Sequence, residues 1–246
     1  MDRLIYTVAS GTKHILEKQA TTSNNLANVS TTGFRAQLDT FRAVPVQGDG
    51  MPTRAFVVDN TVGADFSAGP IQATGRDLDV AVKGQGWLAV RNTDGSESYT
   101  RNGALEVSPN GLLQTANGQT IAGENGPITI PPDTTISIGG DGSVSTMSTT
   151  DTPPASTVVG RIKLVNPNQA DLVRGSDGMF RMKDGSNAPA DPAVTVAGGA
   201  IEGSNVSAIE SMVDMISLAR SFETQMSMLK NAENNAAKAT QILALT

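Results

Sequence analysis

The last forty residues constrain this chain most. Met212, Met215, Ala219, Phe222, Met226, Leu229, Glu233, Ala236, Thr240 and Leu243 step 3-4-3-4 along the sequence, and eight of these ten are apolar. Such a spacing averages 3.5 residues. It keeps one apolar line turned toward a partner helix over many turns, which makes the seam of a left-handed coiled coil. Glu233 and Thr240 interrupt two layers, and polar residues at seam positions set register at some cost in stability. No Gly or Pro occurs from Ser207 to Leu243, so a helix about 55 Å long is allowed at ~1.5 Å per residue. The alternative is a helix buried in a globular core, but a single core seldom needs so long an unbroken element. The helix needs a partner.

The amino terminus supplies a candidate. Leu4, Val8, Gly11 and Ile15 step 4-3-4, Thr22 and Val29 extend the register more weakly, and Leu26 falls beside it. An amphipathic helix is expected from about Arg3 to Ala27, with the small residues Ala9, Gly11 and Ala20 permitting close approach. It ends where Asn28-Val29-Ser30-Thr31-Thr32-Gly33-Phe34 begins, because Asn, Ser and Thr compete for backbone groups and Gly33 tolerates positive φ.

Between these ends the chain changes character. Residues 34–75 carry weak signals, with a loop at Gly48-Asp49-Gly50-Met51-Pro52 and a strand candidate at Arg54–Val58. From Asp94 to Gly185 there are eight Asp-Gly or Asn-Gly pairs, at 94, 102, 110, 117, 125, 141, 177 and 184. Such pairs suit hairpin turns, whose central residues take positive φ. Short β-prone runs lie around and between them: Leu78–Val82, Trp87–Val90, Ile128–Ile130, Thr135–Ile138 and Val158–Val165. The fold class expected is α+β. A discontinuous two-helix coiled-coil domain (residues 1–33 and 205–246) would carry an extended, irregular connecting segment (34–75) and an inserted β-rich domain (76–204). Helices at opposite ends of one chain pair most cheaply with each other. Two helices bury little surface alone, so the pair is expected to become firm only when many copies pack together.

Chemistry is hard to find. The single His and the absence of Cys argue against a zinc site, a thiol nucleophile or a disulfide framework. His14 has no second His or Cys to work with. Asp77 and Asp79 would share a strand face, yet strand-edge acids commonly only deter edge pairing. Gly84-Gln85-Gly86 lacks the third glycine of a dinucleotide fingerprint, and Asp141-Gly142 and Asp177-Gly178 lack the acidic ligands of a calcium loop. Catalytic, cofactor-binding and metal-binding residues are therefore not assigned. A net charge of −6 without a block of like charge speaks against nucleic acid. No run is long and apolar enough to span a membrane. Leu4–Ala9, followed at once by Lys13, His14, Glu17 and Lys18, does not read as a cleaved signal peptide.

Three stretches together resemble one family, the axial rod and hook proteins of the bacterial flagellum. Ser23–Arg35, with Asn24, Asn25, Leu26, Ala27, Asn28, Thr32, Gly33 and Phe34, resembles its amino-terminal signature. Leu78–Trp87 and Tyr99-Thr100-Arg101-Asn102-Gly103 resemble its β-domain motifs. Glu202–Val206 with Met215–Glu223 is similar to its carboxy-terminal signature. Met1–Thr7 and Arg220–Met226 look most like the F-type, proximal-rod branch; the distal rod and hook branches are the alternatives. The resemblance implies a non-enzymatic structural subunit of the basal-body rod, a helical assembly crossing the periplasm and needed for motility. Its terminal helices would form an inner coiled-coil layer, with the seam on Leu4, Val8, Gly11, Ile15, Met212, Met215, Ala219, Phe222, Met226, Leu229, Ala236 and Leu243. Its partners would be other proximal rod proteins, the distal rod subunit and the flagellar type III export apparatus. Phe34 and Leu38 match the short Phe-led segment that this family uses in export. A secreted glycan hydrolase or an adhesin would call for separated carboxylates in a cleft or a conventional secretion signal.

Overall fold

The computed structural model describes residues 2–45, 55–148 and 155–243. They form two compact units, neither continuous in sequence. The first draws on residues 1–28, 37–65 and 206–246, the second on 29–36 and 66–205.

The first unit holds both long helices, α1 (Asp2–Ala27) and α2 (Ala208–Leu243), and a hairpin of β1 (Gln37–Pro45) and β2 (Ala55–Ala64). α1 lies against α2 and against both strands of the hairpin. Pairing within the hairpin is antiparallel, and its register shifts between Thr40 and Phe41. The expectation of an irregular 34–75 segment is corrected here. The register skips Asn60, so the extra residue of the bulge lies in β2. β1 hides itself because its larger apolar residues, Leu38, Phe41 and Val44, fall three apart instead of alternating. The loop expected at residues 48–52 lies outside the described residues.

The second unit is built on sheets. Its strands are β3 (Ile71–Ala73), β4 (Val80–Lys83), β5 (Trp87–Arg91), β6 (Glu97–Thr100), β7 (Leu105–Val107), β8 (Leu113–Thr115), β9 (Thr120–Gly123) and β10 (Gly126–Pro127). They continue with β11 (Thr134–Ile138), β12 (Ser143–Ser148), β13 (Ser156–Arg161) and β14 (Leu164–Val165). The last four are β15 (Leu172–Arg174), β16 (Phe180–Met182), β17 (Thr195–Gly198) and β18 (Ala200–Glu202). The principal sheet runs β15-β16-β6-β5-β9-β8-β7, with β10 on β9 and β14 on β5. β11-β12-β13 form a second sheet, and β17 and β18 return to pair with β4 and β3. Every pairing is antiparallel.

The turn chemistry explains this connectivity. Seven of the eight Asp/Asn-Gly glycines have positive φ, and six of those pairs join consecutive antiparallel strands. Asn102-Gly103 is the exception. A Cβ at Gly103 would lie 1.6 Å from the Val80 carbonyl oxygen, so the glycine there serves close backbone approach. Leu88, Val90, Leu105, Leu113, Ile121 and Ile162 are completely buried at the centre of the unit. Ile128–Ile130 is not a strand but an isolated bridge from Thr129 to Leu112.

Asp77 and Asp79 do not share a strand face. A turn closed by the Asp79 N–H on the Arg76 carbonyl, at 3.0 Å, separates them. Asp77 is exposed, whereas Asp79 is buried and held by Thr74 (2.7 Å) and Arg76 (3.2 Å). The acid is consumed in fixing that turn.

Candidate assembly elements

After Ala208, the covered positions of α2 among the described residues are Ser211, which is buried, and Met215, Leu218, Phe222, Gln225, Leu229 and Ala232, which are partly so, a 4-3-4-3-4-3 progression. Gln225 sits opposite Gly11 of α1, 3.6 Å from where a Cβ would stand. On α1, Val8, Gly11 and Ile15 are half-buried and Thr22 is buried. Of the small residues expected to permit close approach, Gly11 lies at this contact, whereas Ala9 and Ala20 are exposed. His14 is enclosed on α1, 2.8 Å from Glu17 and edge-on to Phe41 of the hairpin, with ring centroids 5.2 Å apart.

The line facing α1 shares Met215, Phe222 and Leu229 with the seam read from the sequence, and departs from it at the alternate layers. Met212, Ala219 and Met226 lie one residue to the side and are exposed in the single chain. With Ile209 (77% exposed), Val213 and Ile216 (57%) they make a second apolar stripe. At ~100° per residue it is rotated by roughly a third of a turn from the first. A monomer gains nothing by presenting such a stripe to water. The side chains of Leu4, Ala236 and Leu243, also assigned to the seam, lie outside the described residues.

The signature that follows α1 has two jobs. Asn25 stands in for a strand partner: its Nδ2 donates to the Gln37 carbonyl (2.9 Å) and its Oδ1 accepts from the Gln37 N–H (2.8 Å). The Asn28 N–H and side chain return to the Asn24 carbonyl, at 3.2 and 2.9 Å, and close the helix. Leu26 is half-buried and Ala27 exposed. The remaining signature residues belong to the second unit. There Gly33 (φ +67°) would, with a Cβ, meet the Arg101 backbone at 2.2 Å, and Thr32 donates to Asn102 at 2.8 Å. Phe34 is buried beneath the Arg174 guanidinium, 4.6 Å from the ring centroid. Leu38, in β1, is about half exposed.

Arg35 then enters a charge cluster that no local pattern announces. Glu202 of β18 accepts from Arg35 Nη2 at 2.7 Å and the Gly69 N–H at 2.9 Å through Oε1, and from Arg101 Nη1 at 2.9 Å through Oε2. All three charged side chains are at most 4% exposed. Arg101 also donates to the Val82 and Gly84 carbonyls. Both guanidiniums lie over Trp87, 6.0 and 5.4 Å from its centroid, and Trp87 packs against Phe180 at 4.7 Å. Burial pulls the Arg101 guanidinium below its ordinary pKa; Glu202 opposes that and Arg35 adds to it. Around this core the Gly33 N–H donates to the Glu202 carbonyl (2.7 Å), the Ala36 N–H to Asn205 Oδ1 (2.7 Å), and Arg174 to the Arg35 carbonyl (2.9 Å). Tyr99, fully buried, accepts the Ala188 N–H at 2.7 Å. The amino-terminal signature, the Tyr99–Gly103 motif and the Glu202–Asn205 motif thus meet at one place. Their residue types, Gly, Arg, Glu and Asn, are those that the contacts require.

A helical pair with an apolar stripe left open, and a β unit fastened by its own two ends, is the build of an assembling structural subunit. Comparison with known proteins names the kind. Three family profiles match: "Flagella basal body rod protein" over residues 5–35, "Flagellar hook protein FlgE/F/G D1 domain" over 81–146, and "Flagellar basal body rod FlgEFG protein C-terminal" over 197–242. The chain is 46% identical to the flagellar basal-body rod protein FlgF of Escherichia coli and 43% identical to that of Salmonella typhimurium, in each case over the whole of both chains. It is 30% identical to the rod protein FlgG of Buchnera aphidicola, over 89% of this chain and 92% of the other. The chain belongs to the flagellar basal-body rod protein family, in its FlgF branch.

Proposed function

We propose that this chain is a structural subunit of the proximal rod of the flagellar basal body, polymerising through its terminal helices. The observation that carries this reading is the division of labour on α2. One line, through Met215, Phe222 and Leu229, turns to α1. The other, through Ile209, Met212, Ile216, Ala219 and Met226, stays open. α1 and α2 act as a two-stranded coiled coil, and the open stripe takes the helices of neighbouring subunits, with Leu4, Ala236 and Leu243 extending the seam. A head-to-tail contact that does not close on itself generates a helical filament. The neighbours are other proximal rod proteins and the distal rod subunit, and the β-rich 76–204 region serves as an outer domain. Export follows the flagellar type III route without a cleaved signal peptide. Phe34 is buried in the folded chain, so recognition at Phe34 and Leu38 belongs to the chain before folding.

Truncation tests this reading. Removal of residues 1–33 or 206–246 abolishes rod formation in basal bodies imaged by electron microscopy, and a motile strain carrying either truncation refutes it. The 30% identity to a FlgG protein favours the distal rod as the second reading. Locating the labelled chain along purified basal bodies separates the two.

A further inference from the structure

Arg35 and Arg101 are buried around one carboxylate, and that carboxylate comes late in the chain. Glu202 lies 167 residues after Arg35 and 101 after Arg101. Arg35 Nε and Nη1 and Arg101 Nε find no acceptor among the described residues. Among the described residues Glu202 is the carboxylate paired with both buried cations; the face of Trp87 and, for Arg101, the Val82 and Gly84 carbonyls add to it. Without the carboxylate, each guanidinium would have to leave water against its own charge and that of the other. The outgoing segment supplies more than charge. The Glu202 carbonyl receives the Gly33 N–H, Asn205 receives the Ala36 N–H and donates its own N–H to the Phe34 carbonyl, and the Gly203 N–H meets the Pro70 carbonyl. The Gly69 N–H, too, is satisfied by Glu202.

We infer that Glu202 is the closing element of the β unit, and that the incoming segment 29–36 docks only when the outgoing segment 199–205 brings its carboxylate between Arg35 and Arg101. The principal sheet contains neither segment. Its core at Leu88, Leu105, Leu113 and Ile121 is apolar and completely buried, so it forms first, and the ends are sealed afterwards by charge. The consequence for a subunit threaded through a channel rests on the export reading above. While Arg35 and Glu202 are on opposite sides of the channel the cluster cannot form, whichever end leads. The signature segment therefore stays open until essentially the whole chain has crossed.

Hydrogen exchange on the full chain tests this. In E202Q, the amides of Gly33, Ala36, Gly69, Gly203 and Asn205 exchange together about tenfold faster or more, while those of Ala89, Leu113 and Ile162 in the sheets keep their protection. Exchange at wild-type rates, or loss spread evenly over the unit, overturns the inference. The apolar triple variant R35M/R101M/E202L removes the charges as a set and restores protection to Gly33, Ala36, Gly203 and Asn205, while Gly69, whose acceptor was the carboxylate, stays open; failure to restore those four overturns the role of charge. Should E202Q not fold, pulse labelling of refolding wild-type chain decides. The same five amides gain protection in one phase, later than Ala89, Leu113 and Ile162, and earlier protection at Gly33 or Ala36 refutes the order. Secretion of E202Q separates this from the export reading: loss of export with the refolding order intact faults the route and leaves the closing role standing.

Discussion

The two units bury their apolar residues to very different degrees. In the β unit Leu88, Val90, Leu105, Leu113 and Ile121 reach no solvent at all, and its principal charge cluster is closed as well. In the helical unit the best-placed residues of α2, Met215, Phe222 and Leu229, are only partly covered, while Ile209, Met212, Val213 and Ile216 lie more than half in water. Burial of apolar area supplies most of the driving force for folding. The β unit therefore carries its own stability, and the helices keep part of theirs in reserve for contacts made on assembly. On the function proposed above, a subunit that crosses a channel and then joins a shaft benefits from both: a lobe that folds without help and ends that become firm only in company.

Substitutions ranked by their effect on the isolated chain sharpen that contrast. Leu88→Ala leaves a cavity in a closed core and should cost about 2–5 kcal/mol in chemical denaturation of the β unit; a change below about 1 kcal/mol would show that the core is looser than its burial says. Gly33→Ala forces a side chain onto the Arg101 backbone at positive φ. It should cost roughly 1–3 kcal/mol in the same measurement without altering the helical signal of the other unit. Asn25→Ala removes both hydrogen bonds to the Gln37 backbone. About 1–2 kcal/mol is expected, read as faster exchange at the Gln37 amide and the base of the β1–β2 hairpin. Ile216→Asp adds a charge to the open stripe and should leave the monomer within about 0.5 kcal/mol of wild type, yet abolish rod formation in basal bodies. Equal loss of monomer stability and assembly in that variant would erase the distinction between the two faces of α2.

Much of this architecture is legible in the residues. The 3.5-residue spacing marks both helices to within a residue or so of α1 and α2, and the Asp-Gly and Asn-Gly pairs mark six of the hairpin turns. Less legible is the strand β1, whose larger apolar residues Leu38, Phe41 and Val44 recur every third position instead of alternating. The Arg35–Glu202–Arg101 cluster is not legible at all from pattern, since its members are ordinary charged residues up to 167 positions apart. The signal that would have found it is a conflict: Arg35 and Glu202 stand among signature residues that otherwise serve turns and close approaches, where a charge has no local use.

What the sequence determined alone is local, namely where helices run, where chains turn, and that an apolar line recurs along α2. Only the tertiary structure decided which neighbours complete that line. Two progressions pass through Met215, Phe222 and Leu229, one using Leu218 and Gln225 and the other Ala219 and Met226. The periodicity of the chain is satisfied by either, and the position of α1, with Gly11 opposite Gln225, chose the first. The same holds for Glu202: propensity acts over a few residues, whereas the burial of a charge is settled by whatever the whole fold brings to meet it.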